Sequence, residues 1–281
     1  MVNEYRNAFR GLLDGLFPSY CELCDLPTPG ALPLCAGCRA ELPGNPRACA
    51  RCALPLPTDS MAGATCGQCL ASAPAFNHTL APYLYEEYLA FLVTRWKYRR
   101  QPQLSALLAD LWLSAAAPAA DIDLLVPVPL HWRRAWHRGY NQAALLCGAL
   151  LHRRPTLAAR GVDPRLLRRT RATAPQQRLD ADARRRNLRG AFTATRSCDS
   201  LNVALVDDVM TTGATADVAA RTLLAAGARR VDLWCLARTP SPGDPYAADI
   251  DHFTAGPAGN DAGNRGVVPA GRRGSQLSRD T

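Results

Sequence analysis

Apolar residues along this chain either recur every three or four positions or gather in short unbroken runs, and the two patterns predict different elements. Phe9, Leu12, Leu13, Leu16 and Phe17 fall at helical spacing and predict a helix within residues 1–20. Residues 21–75 follow neither pattern. Pro27, Pro29, Gly30, Pro43, Gly44, Pro46, Pro55 and Pro57 punctuate them and deny them a hydrophobic core. From Tyr83 helix formers return: Leu89, Phe91, Leu92 and Trp96 predict one helix running into Lys97, and a second is expected from Gln103 to about Ala117. The run LLVPVPL, residues 124–130, reads as a buried strand whose prolines leave the ladder near its end, followed by a basic loop and a helix to Leu151. Two more buried strands, at VALV from Val203 and VDLWCLA from Val231, flank an Ala-rich helical pattern that ends near Gly227. From Leu124 onward strands alternate with helices, and that alternation predicts an α/β fold: a parallel sheet with helices on both faces. Beyond Thr239 the pattern dissolves into Pro, Gly, Asp, Asn and Arg, so residues 241–281 are expected to form a disordered tail.

At 281 residues and 48% apolar, the chain can hold one sizeable α/β core and a smaller module. The pattern assigns residues 21–75 to the small module and 76–240 to the large one. A formal charge of +9 favours polyanionic ligands such as nucleotides, diphosphates or nucleic acid. Lys97 is nevertheless the only lysine, and arginine beside abundant alanine supplies the remaining basic side chains, a composition that reads as coding bias. Position therefore weighs more than number. Arg10 and Asp14 interrupt the N-terminal apolar residues, so no secretory signal is expected. The greasiest stretch, residues 104–117, contains Asp110 and ends at Pro118, too short and polar to cross a bilayer. These features predict a cytoplasmic protein without membrane insertion, its N-terminal helix docking on protein.

Eight of the eleven cysteines form four C-x-x-C pairs: Cys21/Cys24, Cys35/Cys38, Cys49/Cys52 and Cys66/Cys69. Two thiolates separated by two residues grip a metal ion from one tight turn, and two such turns complete a tetrahedral sulfur site. Four turns predict two structural Zn2+ sites that supply the fold of a coreless segment. Sequential pairing is simplest, with ten residues between the first two pairs and thirteen between the last two; an interleaved pairing stays open. Disulfides are disfavoured in a chain without a secretory signal, and an iron–sulfur cluster is the remaining alternative. Cys147 and Cys235 lie in apolar runs and read as core residues; neither they nor Cys198 form a candidate nucleophile.

The densest chemistry lies in VALVDDVMTTGAT, residues 203–215. An apolar strand ends in Asp207 and Asp208, and the loop Thr211, Thr212, Gly213, Ala214 and Thr215 opens a helix. Backbone N–H groups at such a helix start suit a phosphate, Gly213 admits close approach, and the threonines add hydroxyl donors. Carboxylates beside a phosphate site repel the anion unless they bind something else, such as sugar hydroxyls, a metal ion, or both. The combination asks for a sugar phosphate. A buried strand followed by an acidic helix start is the plainer alternative. The stretch resembles the phosphoribosyl-diphosphate signature of type I phosphoribosyltransferases. That resemblance implies that Asp207 and Asp208 hold the ribose hydroxyls and residues 211–215 the 5′-phosphate. Many members carry a third acid where this chain has Thr211, so no carboxylate base is implied there.

A basic loop, HWRRAWHRGYNQA, leaves the strand at 124–130, and its Arg133, Arg134 and Arg138 suit diphosphate oxygens because guanidinium forks match them. Trp132 and Trp136 either stack on bases or pack in the core. Lys97 is either an anion ligand or a solvated helix end. Residues 131–189 hold fifteen arginines against three aspartates, with no glutamate or lysine. The segment VPVPLHWRRAWHRGYNQA, followed by Arg169, Arg171, Thr173, Gln176, Leu179, Arg184, Asn187, Ala191 and Phe192 in register, is similar to the competence protein ComF family. The resemblance covers about residues 20–240. It implies a type I phosphoribosyltransferase-like parallel sheet preceded by a double zinc ribbon. The arginine-rich stretch then corresponds to a mobile flap that closes over the diphosphate and excludes water; a solvated basic linker is the alternative.

These readings together predict a phosphoribosyltransferase that binds phosphoribosyl diphosphate with Mg2+ and transfers the phosphoribosyl group to an unidentified acceptor. Asp207, Asp208, Arg138 and Arg184 are the expected catalytic residues, with Arg133 and Arg134 on the diphosphate. The family implies a link to uptake or use of external DNA. A second reading is a zinc-ribbon adaptor for single-stranded DNA whose sugar-phosphate pocket is a sensor or a relic; a third is a scaffold for a DNA-uptake helicase.

Overall fold

The computed structural model describes residues 19–28, 32–57, 59–61, 63–130, 139–170 and 190–241. The expected N-terminal helix up to residue 18, the Arg133/Arg134/Arg138 loop with Trp132 and Trp136, the flap at 171–189 with Arg184, and the tail beyond residue 241 lie outside the described residues. The chain divides into two compact units, one ending at Arg39 and the other beginning at Ala40.

In the first unit an antiparallel ribbon, β1 (Ser19–Tyr20) with β2 (Pro27–Thr28), precedes the short helix α1 (Ala36–Ala40). The second unit opens with irregular chain and the short helix α2 (Gly67–Ala71). Its main sheet is parallel in the order β3 (Thr79–Leu80), β10 (Arg230–Trp234), β8 (Asn202–Val206), β5 (Leu124–Pro127). Pro127 closes the β5 ladder opposite Val206, where a missing N–H costs least. The outer side of β5 is covered, because the Leu125 N–H donates to the Gly161 carbonyl at 2.9 Å.

Three strands continue past a break of two residues each, as β4 (Tyr83–Leu84), β11 (Ala237–Arg238) and β9 (Val209–Met210), again parallel and in the same order. The expected single strand over VDLWCLA is therefore two strands separated by Cys235 and Leu236. β6 (Leu167–Arg169) and β7 (Phe192–Ala194) form a separate antiparallel ribbon on either side of the arginine-rich stretch.

Strand side chains alternate between faces. Val203, Leu205, Val231 and Leu233 share a core with Ala216, Ala219, Ala220 and Leu223 of α6 (Ala214–Ala225). On the other face Trp234 stacks at 5.0 Å on Trp112 of α4 (Leu104–Ala115), whose indole N–H donates to the Cys235 carbonyl. α4 packs in turn against α5 (Gln142–Arg153), and α3 (Glu87–Tyr98) precedes it. Burial on both faces explains why these strands read as continuous apolar runs. Cys49, Cys52, Cys66 and Cys69 belong to the same buried cluster as the α6 face of the sheet. Among the described residues no helix is long and apolar enough to cross a membrane.

Candidate functional site

The cysteines pair sequentially. Cys21, Cys24, Cys35 and Cys38 form one cluster and Cys49, Cys52, Cys66 and Cys69 another, with the sulfurs of each within 4.8 Å of one another. Both clusters are built from the same parts. The first cysteine's N–H bonds the carbonyl five residues on, Cys21 to Leu26 and Cys49 to Leu54, each at 2.8 Å. The residue after the second cysteine is left-handed, Asp25 at φ 57° and Ala53 at φ 52°. Cys35 and Cys66 then accept the first helical bonds of α1 and α2, from Arg39 and Leu70.

Sγ separations of 3.8 Å for Cys24–Cys35 and 3.6 Å for Cys52–Cys66 approach the ~3.8 Å edge of a tetrahedron with ~2.3 Å metal–sulfur bonds. Burial, then the neighbouring cysteines, push the Cys69 and Cys38 thiols up. At Cys49 burial is outweighed by the backbone N–H groups of Cys66, Cys52 and Arg51, and the thiol is lowered to about 7. Crowded sulfurs of this kind are relieved by a cation. The two tetracysteine clusters are consistent with two structural Zn2+ ions, each with a closed sulfur shell.

The break in the sheet positions the second feature. β8 and β10 pair as far as Val206 and Trp234, and β9 and β11 resume at Val209 and Ala237. Asp207 and Asp208 occupy the gap, held by an Asp207 N–H bond to the Trp234 carbonyl and a Leu236 N–H bond to the Asp208 carbonyl, both 2.9 Å. After β9 the chain turns through residues 211–213 into α6. Gly213 sits at the helix cap with φ +76°, the left-handed region that favours glycine. Among the described residues no acceptor takes the N–H groups of Thr212 or Gly213, and the Ala214 N–H makes only a 3.5 Å contact with Thr212 Oγ1. Asp207 and residues 211–215 line one cleft with Val209, Met210, Ala216 and Leu233, of about 290 Å³ including its open mouth.

The two acids differ. Asp207 lines the cleft, and its Oδ1 accepts the Asp208 N–H at 2.9 Å. Burial, then the adjacent Asp208, push its carboxyl up to about 7, against the pull of that N–H, Lys97 and Arg169. The carboxylate of Asp208 takes the Val209 N–H at 2.6 Å and the Lys97 ammonium at 2.9 Å. Asp208 is not among the cleft-lining residues.

Lys97 is not a solvated helix end: its side chain is only 12% exposed and its ammonium also lies 5.9 Å from the Tyr85 ring centre. Burial disfavours its charge, but Asp208 and Tyr85 more than compensate and leave its pKa raised. Tyr140, from the RGYNQ segment, donates its hydroxyl to the neighbouring Trp96 carbonyl, while Asn141 caps α5 through the Ala143 N–H. Arg169, at the end of β6, packs over the Phe192 ring and adds positive field at Asp207.

The structure thus brings together Asp207, Thr211, Thr212, Gly213, Ala214 and Thr215, and sets Asp208 beside them with Lys97. Arg133, Arg134, Arg138 and Arg184 lie outside the described residues. Lys97, read from the sequence as either an anion ligand or a solvated helix end, enters the site as the partner of Asp208, and Arg169, named only within the arginine-rich pattern, adds its field at Asp207. That Lys97 is the only lysine in an arginine-rich chain was the one available signal for it.

A parallel sheet with acids and a glycine loop at its strand ends, preceded in the chain by two tetracysteine clusters, defines an α/β protein with a cysteine-rich, zinc-ribbon-type module. The double zinc ribbon domain pattern itself matches residues 12–70. The DNA utilization protein YhgH of Salmonella typhi is 38% identical over 179 residues, which cover 62% of this chain and 77% of that protein. Competence protein F of Haemophilus influenzae is 35% identical over 185 residues, covering 61% and 77%. Competence protein ComFC of Bacillus subtilis is 28% identical over 149 residues, covering 52% and 57%. The chain belongs to the ComF family. Hypoxanthine phosphoribosyl transferase of Trypanosoma cruzi superposes with a TM-score of only 0.27 at 14% identity, over 53% of this chain and 81% of that one. A fit that loose carries no argument.

Proposed function

We propose that the chain binds phosphoribosyl diphosphate in the Asp207 cleft and transfers its phosphoribosyl group, in a role tied to the use of external DNA. The observation that carries this reading is one cleft lined by both a strand-end carboxyl and a glycine-hinged amide loop. Thr211, Thr212, Gly213, Ala214 and Thr215 receive the 5′-phosphate, Asp207 takes a ribose hydroxyl, and Asp208, oriented by Lys97, completes the sugar contact. Crowded carboxyls at Asp207 and Asp208 suit a hard cation, and Mg2+ bound with the sugar diphosphate would neutralise charge on the leaving group. Arg133, Arg134, Arg138 and Arg184 add positive charge to the departing diphosphate, and Arg169 extends that field to the base of the flap. An acceptor nucleophile then attacks the anomeric carbon as the bond to diphosphate breaks.

The test is diphosphate release with candidate bases and with single-stranded DNA as acceptors. Wild type releases diphosphate, and an Asp207→Asn/Asp208→Asn variant loses at least about a hundredfold in rate. Undiminished release by that variant rejects the assignment. Salt-dependent binding of single-stranded DNA by the same variant, with no release by wild type, favours the adaptor reading instead.

A further inference from the structure

Arg238, the last residue of β11, is 5% exposed. Its Nε donates to the Cys52 carbonyl at 3.0 Å, inside the first turn of the second tetracysteine site. Its Nη1 donates to the Met210 carbonyl at 3.2 Å and to the carbonyls of Thr211 and Thr239. One buried guanidinium therefore joins a metal-binding turn to the backbone from which the 211–215 loop springs.

No carboxylate pairs with Arg238 among the described residues. Its side chain is buried against the turn of the second tetracysteine site, held there by the bond to the Cys52 carbonyl. Four thiolates around a divalent ion keep a net negative charge, so the loaded metal site is the natural counter-charge for this cation. The same module touches α6 directly. The Ala75 N–H donates to Asp217 Oδ1 at 2.7 Å, and the Phe76 ring reaches within 3.8 Å of where a side chain on Gly213 would begin. Arg51, between Cys49 and Cys52, holds the Phe76 carbonyl at 3.2 Å.

We propose that Arg238 makes the second tetracysteine site a working part of the phosphate cradle: metal at Cys49, Cys52, Cys66 and Cys69 fixes the guanidinium, and the guanidinium fixes the loop. This rests on reading residues 211–215 as the cradle. Arg238 is a positioning residue, and the coupling is reciprocal, so a sugar phosphate in the cleft holds the metal more tightly. The first tetracysteine site takes no part in it.

The test uses the zinc-loaded full chain and follows amide exchange in the peptide covering 209–217. Cys66→Ser and Arg238→Met each speed exchange there by about tenfold, while Cys24→Ser in the first site leaves it unchanged. Equal exchange in wild type and Cys66→Ser, or equal acceleration by Cys24→Ser, overturns the proposal.

Should Arg238→Met not fold, wild type alone still decides the matter. Zinc release to a chromophoric chelator is followed with and without saturating phosphoribosyl diphosphate, and one of two release phases slows about fivefold or more. Unchanged release beside measurable sugar-phosphate binding overturns the coupling. Absence of binding rejects the proposed function and leaves the exchange result to judge Arg238.

Discussion

Asp207 is a carboxyl group placed where ionisation is costly. Burial and Asp208 hold its titration at about 7, so between the ordinary carboxylate range and that pH the folded chain keeps a proton that the unfolded chain has released. Stability contributed by this group falls as pH rises through that window. Asp207→Asn removes the penalty: above pH 7 the variant is expected to be more stable than wild type by on the order of 1–3 kcal/mol, and near pH 5 by much less. Denaturant unfolding at both pH values checks this, and a constant difference would contradict the burial argument. The same substitution is expected to weaken phosphoribosyl diphosphate binding at least about tenfold, a trade of stability against function common at sites that must hold charge.

Gly213 presents a different constraint. A left-handed φ costs an L-residue about 1–2 kcal/mol, and a Cβ there would lie 2.5 Å from the flexible Met210 Cε. Gly213→Ala should therefore lower the melting temperature modestly and weaken phosphate binding about tenfold, read by thermal scan and titration. Full affinity in this variant would show that the turn is not part of the cradle.

At the scale of elements, the site depends on α3 meeting the break between β8 and β9. Lys97 and Asp208 are 12% and 14% exposed, so their 2.9 Å pair is poorly screened. A double-mutant cycle of Lys97→Met and Asp208→Asn should yield a coupling of about 1–3 kcal/mol in unfolding free energy. A value near zero would mean that the pair merely coexists.

This contact also marks the limit of what the linear pattern reveals. The strand, acids, glycine loop and helix of residues 203–225 are contiguous, and their order alone predicts their geometry. The cysteine turns are legible for the same reason, since each C-x-x-C is a local object. Lys97 lies 111 residues before Asp208, and Arg238 reaches back 186 residues to Cys52. Such contacts are set by how layers stack, and no local periodicity encodes them. The break between β10 and β11 is equally invisible, because buried apolar residues continue through Cys235 and Leu236 without interruption.

At the scale of the whole molecule, the two tetracysteine sites are alike in construction and differ in surroundings. Cys49, Cys52, Cys66 and Cys69 sit in the core that the sheet shares with α6, whereas Cys21, Cys24, Cys35 and Cys38 belong to the other compact unit. Cys66→Ser should lower the melting temperature of the sheet by about 10 °C or more, and Cys24→Ser should leave that transition in place. Scanning calorimetry separates the two outcomes, and equal losses would mean that both sites stabilise one cooperative unit.

Calorimetric titration of the zinc-loaded full chain with phosphoribosyl diphosphate, with and without Mg2+, addresses the cleft most directly. Saturable one-to-one binding is expected, tighter with Mg2+ and weakened at least about tenfold in Asp207→Asn. No binding, or binding that Asp207→Asn leaves untouched, would contradict it.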